Sequence, residues 1–391
     1  MSHHPSHTLR QLGAICAALL AAFPLLAAFP LLAAGRSEGR FLLVVAEEAV
    51  SPRRSAVSIM DLADPAHPRS VSQVDVPFVV AATPNSVAVH PHAGIALAVG
   101  TAATPGAKGP QGRIAVLDLS GEKPRLVAVM PVGRDLRSIA LTPDGAIAIV
   151  SDRLERAVFV FAVQGERFTL LQRIALEGEP SGVAVSPDGR KALVALVDSH
   201  RASILAINPR KVAFVATVPT GLFPVDAAFS PDSREALVTN LGTREGSDGS
   251  QDPITAINFD GPRPQVTDIA GGTDAPAAVA ISPRGGLAVA IALNGCETRG
   301  TVRYPPGNAF ILTRIDGVRA DHFDEIPTGG CVRAVAFSSD GRHLYAADAE
   351  HRVLSVWVVE GERITNTGVK LSLPGVPVAL KDGPARRPDR P

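Results

Sequence analysis

The strongest constraint on this chain is a short pattern that it writes six times. The stretch "PSGVAVSPDGRKALVAL", starting at Pro180, reads as an apolar strand, a tight turn and a second apolar strand. Its counterparts are "PNSVAVHPHAGIALAV" from Pro84, "LRSIALTPDGAIAIV" from Leu136, "PVDAAFSPDSREALV" from Pro224, "PAAVAISPRGGLAVAI" from Pro276 and "VRAVAFSSDGRHLYAA" from Val332. In "SPDG" the proline presets φ and the glycine accepts a positive one, so a hairpin turn has a physical cause there. Aligned on that turn residue, the copies fall at Gly94, Gly145, Gly189, Ser233, Gly285 and Gly341, in steps of 51, 44, 44, 52 and 56 residues. One step holds four short strands; for the copy at Gly189 the spacing predicts them over 181–186, 191–197, 201–207 and 212–218.

Three strand-like runs, "FLLVVAEE", "SAVSIMDL" and "SVSQVDV", precede the first copy without an inner partner, and "VPVALKDG" at 376–383 imitates "VAVSPDG" with nothing after it to pair with. Joining these two ends gives the expected fold: an all-β, seven-bladed β-propeller of four-stranded antiparallel blades over 40–383. Its ring is closed by the C-terminal strand pairing with the N-terminal blade, which leaves no open sheet edge at the seam. In every copy the residue three before the turn proline or its equivalent is alanine: Ala88, Ala140, Ala184, Ala228, Ala280 and Ala336. A small row beside bulky neighbours suits crowding near an axis and carries no chemistry.

Lysine plus arginine and aspartate plus glutamate both number 38, and no basic run interrupts the repeats, so nucleic acid is not an expected partner. "MSHHPSHTLR" followed by the apolar run from Leu12 reads as a signal peptide over 1–35 or an N-terminal anchor, which places the remainder in the periplasm or outside the cell. A membrane contact is expected only where that anchor is retained. The tail 384–391, "PARRPDRP", has almost nothing to bury and is expected to be disordered.

The repeat, with Asp or Asn closing its second strand, resembles the YVTN-type seven-bladed β-propellers, themselves related in outline to the lactonase propellers. The resemblance covers 41–383 and implies the fold; such propellers serve many unrelated ends, so it implies no single activity.

Propeller topology sends the second-to-third loops to one face. There the loops near Gly100, from Asn240 and from Asn294 are long, and that face is expected to bind a protein partner or small ligand. Cys296 and Cys331, the only cysteines beyond Cys16, fall on that face of adjacent blades; a disulfide is the first reading and two unpaired thiols the second. Asn85, Arg137, Ser181, Asp226 and Arg333 begin the inner strands at the axial mouth, where the two arginines can accept an anion or pair with Asp226 or Asp135. Asp152, Asp198, Asn240, Asn294 and Asp348 end second strands, where each side chain is expected to cap its own turn. No local motif for a hydrolase, zincin, cytochrome or nucleotide enzyme is present, and no cofactor or metal is expected. The functional expectation is therefore an exported, non-catalytic binding scaffold, with a lactonase-type hydrolase at the axial mouth as the alternative.

Overall fold

A computed structural model describes residues 42–51, 54–102, 109, 111–121, 123–208, 211–269, 273–296, 308–316 and 320–383, the first of these as backbone only. The signal or anchor segment, the C-terminal tail, and parts of the loops near Gly100 and after Cys296 lie outside the described residues.

The strands follow the predicted punctuation closely. They open with β1 (Leu42–Ser51), β2 (Arg54–Asp61) and β3 (Arg69–Val76), then β4 (Val79–Val80), β5 (Val87–Val89), β6 (Ile95–Thr101), β7 (Gly112–Asp118) and β8 (Arg125–Pro131). Next come β9 (Leu136–Leu141), β10 (Ile147–Asp152), β11 (Ala157–Gln164) and β12 (Arg167–Ala175), followed by β13 (Pro180–Val185), β14 (Lys191–Leu196), β15 (Arg201–Asn208) and β16 (Lys211–Pro219). The run continues with β17 (Pro224–Phe229), β18 (Glu235–Asn240), β19 (Ile254–Asn258) and β20 (Gln265–Ile269), then β21 (Pro276–Ile281), β22 (Gly286–Ala292), β23 (Ala309–Ile315) and β24 (Ala320–Pro327). It ends with β25 (Val332–Phe337), β26 (His343–Asp348), β27 (Val353–Glu360), β28 (Arg363–Ser372) and β29 (Val376–Asp382).

The architecture is an all-β propeller of four-stranded antiparallel blades. Five sheets take their strands in sequence, β9 to β12, β13 to β16, β17 to β20, β21 to β24 and β25 to β28, and a sixth runs β29-β1-β2-β3. In a further sheet β6 pairs with both β4 and β5 before β7 and β8 follow. Among the described residues, this is where a copy of the repeat departs from its pattern. "FVVAATPNSVAV" interrupts its inner strand at residues 81–86, so Asn85 stands outside any strand. Thr83 and Pro84 suit a turn better than a ladder, and Ser86 N donates to Thr83 O across it.

The cores lie between blades rather than within them. Leu97 and Val116 of one sheet pack with Ile139, Val150 and Phe161 of the next, while Phe310 and Trp357 meet edge to face at 4.9 Å across another junction. Second strands covered on both faces, such as β10 and β18, are buried at every residue. Fourth strands such as β12 are largely exposed. Continuous apolar second strands and polar-rich fourth strands are what this radial gradient requires.

Candidate active site

First strands of successive sheets lie side by side: β9 beside β13, β13 beside β17, β17 beside β21 and β21 beside β25. Near its start each strand carries a bulge. Against its partner, β9 skips Arg137, β17 skips Val225, β21 skips Ala277 and β25 skips Arg333. A bulge re-aims one side chain, and here it turns Arg137 and Arg333 out of the ladder at the mouth. In β13 Ser181 and Gly182 share the bulge; Ser181 is buried and its carbonyl accepts a 2.6 Å hydrogen bond from Ser151 Oγ. Asp226 stands one residue past its own bulge, not level with Arg137 and Arg333 as the sequence reading had it.

Counting from the bulge sorts the inner strands into rows. The first row past it holds Ser138, Asp226, Ala278 and Ala334; the third holds Ala140, Ala228, Ala280 and Ala336. β29 skips Val378, which puts Ala379 in the first row and Lys381 in the alanine row. Lys381 was not among the residues singled out from the sequence, because the likeness of "VPVALKDG" to "VAVSPDG" hides this register. Each of the two rows thus contains one charge, and the charges are opposite. Two strand residues separate the rows, about 7 Å of rise, which an extended lysine side chain spans.

Asp226 is 1% exposed. Its Oδ2 accepts Val279 N at 3.1 Å, as Ser138 Oγ accepts Val183 N at 3.0 Å one row-mate away. Its Oδ1 accepts Asn85 Nδ2 at 2.5 Å from the interrupted strand, with two whole sheets between them along the chain. Burial pushes its carboxyl up to about 6, against the lowering by those hydrogen bonds and by the Lys381 ammonium. Gly182 is required beside it: a Cβ there would stand 2.6 Å from Val225 O and 2.7 Å from Asp226 Cα. Lys381 itself is solvent-accessible yet ringed by protein. Burial lowers its pKa, opposed by Asp226 and Asp382.

At the mouth, Arg137 Nη2 and Arg153 Nε both reach Asp135 Oδ2, at 2.8 and 2.7 Å. Burial opposes ionisation of Asp135, but the two guanidinium groups outweigh it and hold the carboxyl below its ordinary range. Two cations share one carboxylate, so the cluster keeps a surplus positive charge. The residues that end second strands bind backbone: Asp152 accepts Asp135 N and Glu155 N, Asp198 accepts Glu179 N, Asp348 accepts Cys331 N, and Asn294 Oδ1 accepts Asp274 N. Cys296 and Cys331 are joined in a disulfide, their Cα atoms 5.4 Å apart. The loop after Asn240 is strapped to the next sheet, where Asp274 accepts Asp248 N and Gly249 N. Among the described residues no group of three or more His, Cys, Asp or Glu side chains is arranged to hold a metal ion.

The family model described as "Lactonase, 7-bladed beta-propeller" matches residues 122–220, a span that contains Asp135, Arg137, Arg153 and Ser181. No curated protein matches the chain in sequence. Among solved structures, a Bacteroides fragilis protein designated a candidate 6-phosphogluconolactonase superposes with a TM-score of 0.69 at 13% identity, covering 89% of this chain and 99% of its own. The periplasmic gluconolactonase PpgL of Pseudomonas aeruginosa gives 0.65 at 16% identity, covering 89% of this chain and 100% of its own. At such identities these two similarities establish the propeller fold. The lactonase match corrects the expectation of a non-catalytic scaffold and favours its alternative, a lactonase-type hydrolase. The match bears on the lactonase side of the resemblance drawn from the sequence and not on the YVTN repeat.

Proposed function

We propose that this protein is a lactonase-type hydrolase working at the axial mouth of a seven-bladed ring closed by β29 on β1. Antiparallel pairing of β29 with β1, from Leu43 against Asp382 to Glu48 against Val376, supports that closure. The disulfide suits the oxidising compartment to which an export signal would deliver the chain.

The observation that carries the catalytic reading is the opposed pair Asp226 and Lys381 in rows otherwise built of small residues. A carboxylate whose pKa is raised toward neutrality by burial is a stronger proton acceptor than an ordinary one and is still ionised at pH 7. It takes a proton from a water as the water oxygen bonds to the lactone carbonyl carbon. Negative charge gathers on the carbonyl oxygen, where the accessible Lys381 ammonium opposes it. Collapse breaks the bond to the ring oxygen, which receives the proton back from Asp226, and a hydroxy acid results. The new carboxylate leaves past the surplus positive charge of Arg137 and Arg153.

The test is proton release during hydrolysis of a panel of five- and six-membered sugar-acid lactones by the wild type and Asp226→Asn. Turnover by the wild type that falls at least a hundredfold in Asp226→Asn is expected. A wild type inactive on every lactone, or a mutant that keeps its rate, overturns the reading.

A further inference from the structure

Asn85 owes its position to the break in its inner strand. Residues 81–86 leave the ladder between β4 and β5, and the departing segment is fastened to β9: Thr83 Oγ1 donates to Arg137 O, and Ile139 N donates to Asn85 O at 2.9 Å. The Asn85 side chain is thereby carried to a sheet that its own blade does not adjoin, where its amide donates to Asp226 Oδ1 at 2.5 Å. An ionised carboxylate only accepts hydrogen bonds, so a primary amide at this distance favours the charged form. Neither β13 ("PSGVAV") nor β21 ("PAAVAI"), which flank β17, carries an ionisable side chain. Lys191 of β14 and Glu235 of β18 lie at the hairpin ends of their strands, away from Asp226. The charge that Asp226 feels comes from Lys381 on β29, next to Asp382.

From this geometry we infer that the 81–86 segment is a crossbar of the axial channel, and that Asn85 is a positioning residue which fixes the orientation and protonation of Asp226. Its consequence for turnover rests on the hydrolase reading; its action on Asp226 does not. Two variants separate electrostatics from packing. Asn85→Ala removes the donor, while Asn85→Asp keeps the shape and sets a second carboxylate against the first, so that the two share a proton.

The readout is the titration of the Asp226 carboxyl carbon by NMR in the folded protein with carbon-13-labelled aspartate, assigned with Asp226→Asn and accompanied by circular dichroism to verify folding. Asn85→Ala is expected to raise the Asp226 midpoint by about one pH unit, a tenfold change in proton affinity, and Asn85→Asp to raise it further. In an active enzyme the acidic limb of kcat/KM moves by the same amount. A moved midpoint in a wild type that opens no lactone leaves Asn85 as the positioning residue and removes only the hydrolase reading. A midpoint unchanged in both folded variants overturns the inference, whatever the activity.

Discussion

Replacing Asp226 by asparagine should make the protein's stability respond to pH in a calculable way. The folded carboxyl titrates near 6 because burial disfavours its charge, whereas an unperturbed aspartate titrates at 3.8. Below both values the group is protonated folded and unfolded and contributes nothing to pH dependence. As pH rises, the unfolded chain ionises first, so stability drains away until the folded carboxyl follows, and above it the whole cost is present, about 3 kcal/mol. Asparagine cannot ionise, and Asp382, which burial raises to about 7, is common to both proteins and cancels. Between about pH 4 and pH 7 the stability difference should therefore move by about 2–3 kcal/mol in favour of Asp226→Asn. The variant carries a separate, pH-independent cost. Asp226 accepts from both Asn85 and Val279, and an amide has one acceptor oxygen, so one donor loses its partner at about 1–3 kcal/mol. That cost sets the intercept; burial of charge sets the slope. Urea unfolding of both proteins at matched ionic strength across this range measures both. A difference independent of pH would refute the claim that Asp226 is held ionised against its environment.

Three further outcomes follow from the fold. Deleting residues 376–391 removes the partner of β1 and should lower the melting temperature far more than deleting 384–391; equal melting temperatures would show the seam lies elsewhere. Cys296→Ala with Cys331→Ala opens a cross-link spanning 35 residues and should cost about 4 kcal/mol on the chain-entropy account, read by denaturant midpoints with and without reductant. Gly182→Ala drives a methyl against Val225 O and Asp226 Cα and should cost about 1–3 kcal/mol, with loss of lactone turnover beyond what the stability change explains, checked by melting and rate together.

The fold was legible because its determinants are local. The predicted strand over 191–197 is β14, Lys191–Leu196, and the predicted 201–207 is β15, Arg201–Asn208, since apolar runs and Pro-Asp-Gly turns act within a few residues. The split inner strand at β4 and β5 was not legible. Its letters "SVAV" match the repeat, but the excursion that precedes them is stabilised by Arg137 O and Ile139 N from another blade, and such partners are not local in sequence.

The candidate site divides the same way. Asp226 stood out as the one acid among the residues that begin the inner strands, beside Asn85, Arg137, Ser181 and Arg333. Lys381 did not, because its row depends on which residue of β29 the ladder skips, and the skip at Val378 is set by pairing with a strand more than three hundred residues earlier. Bulge position is thus the quantity that a repeat alignment lacks: one residue of slip moves a side chain between the ladder and the mouth. Asp226 and Lys381 also show why a small-residue row is informative when broken. Alanine keeps adjoining inner strands close, so a lysine there must send its bulk into the channel, and an aspartate in the first row past the bulge is buried against its neighbour's backbone. Each is unfavourable alone, the lysine through lost hydration and the aspartate through burial of charge, and each lessens the other's penalty. The other inner strands keep serine, glycine or alanine in these rows; two opposite charges on strands from distant parts of the sequence instead feel one another electrostatically, and the hydrolase proposal rests on that pair.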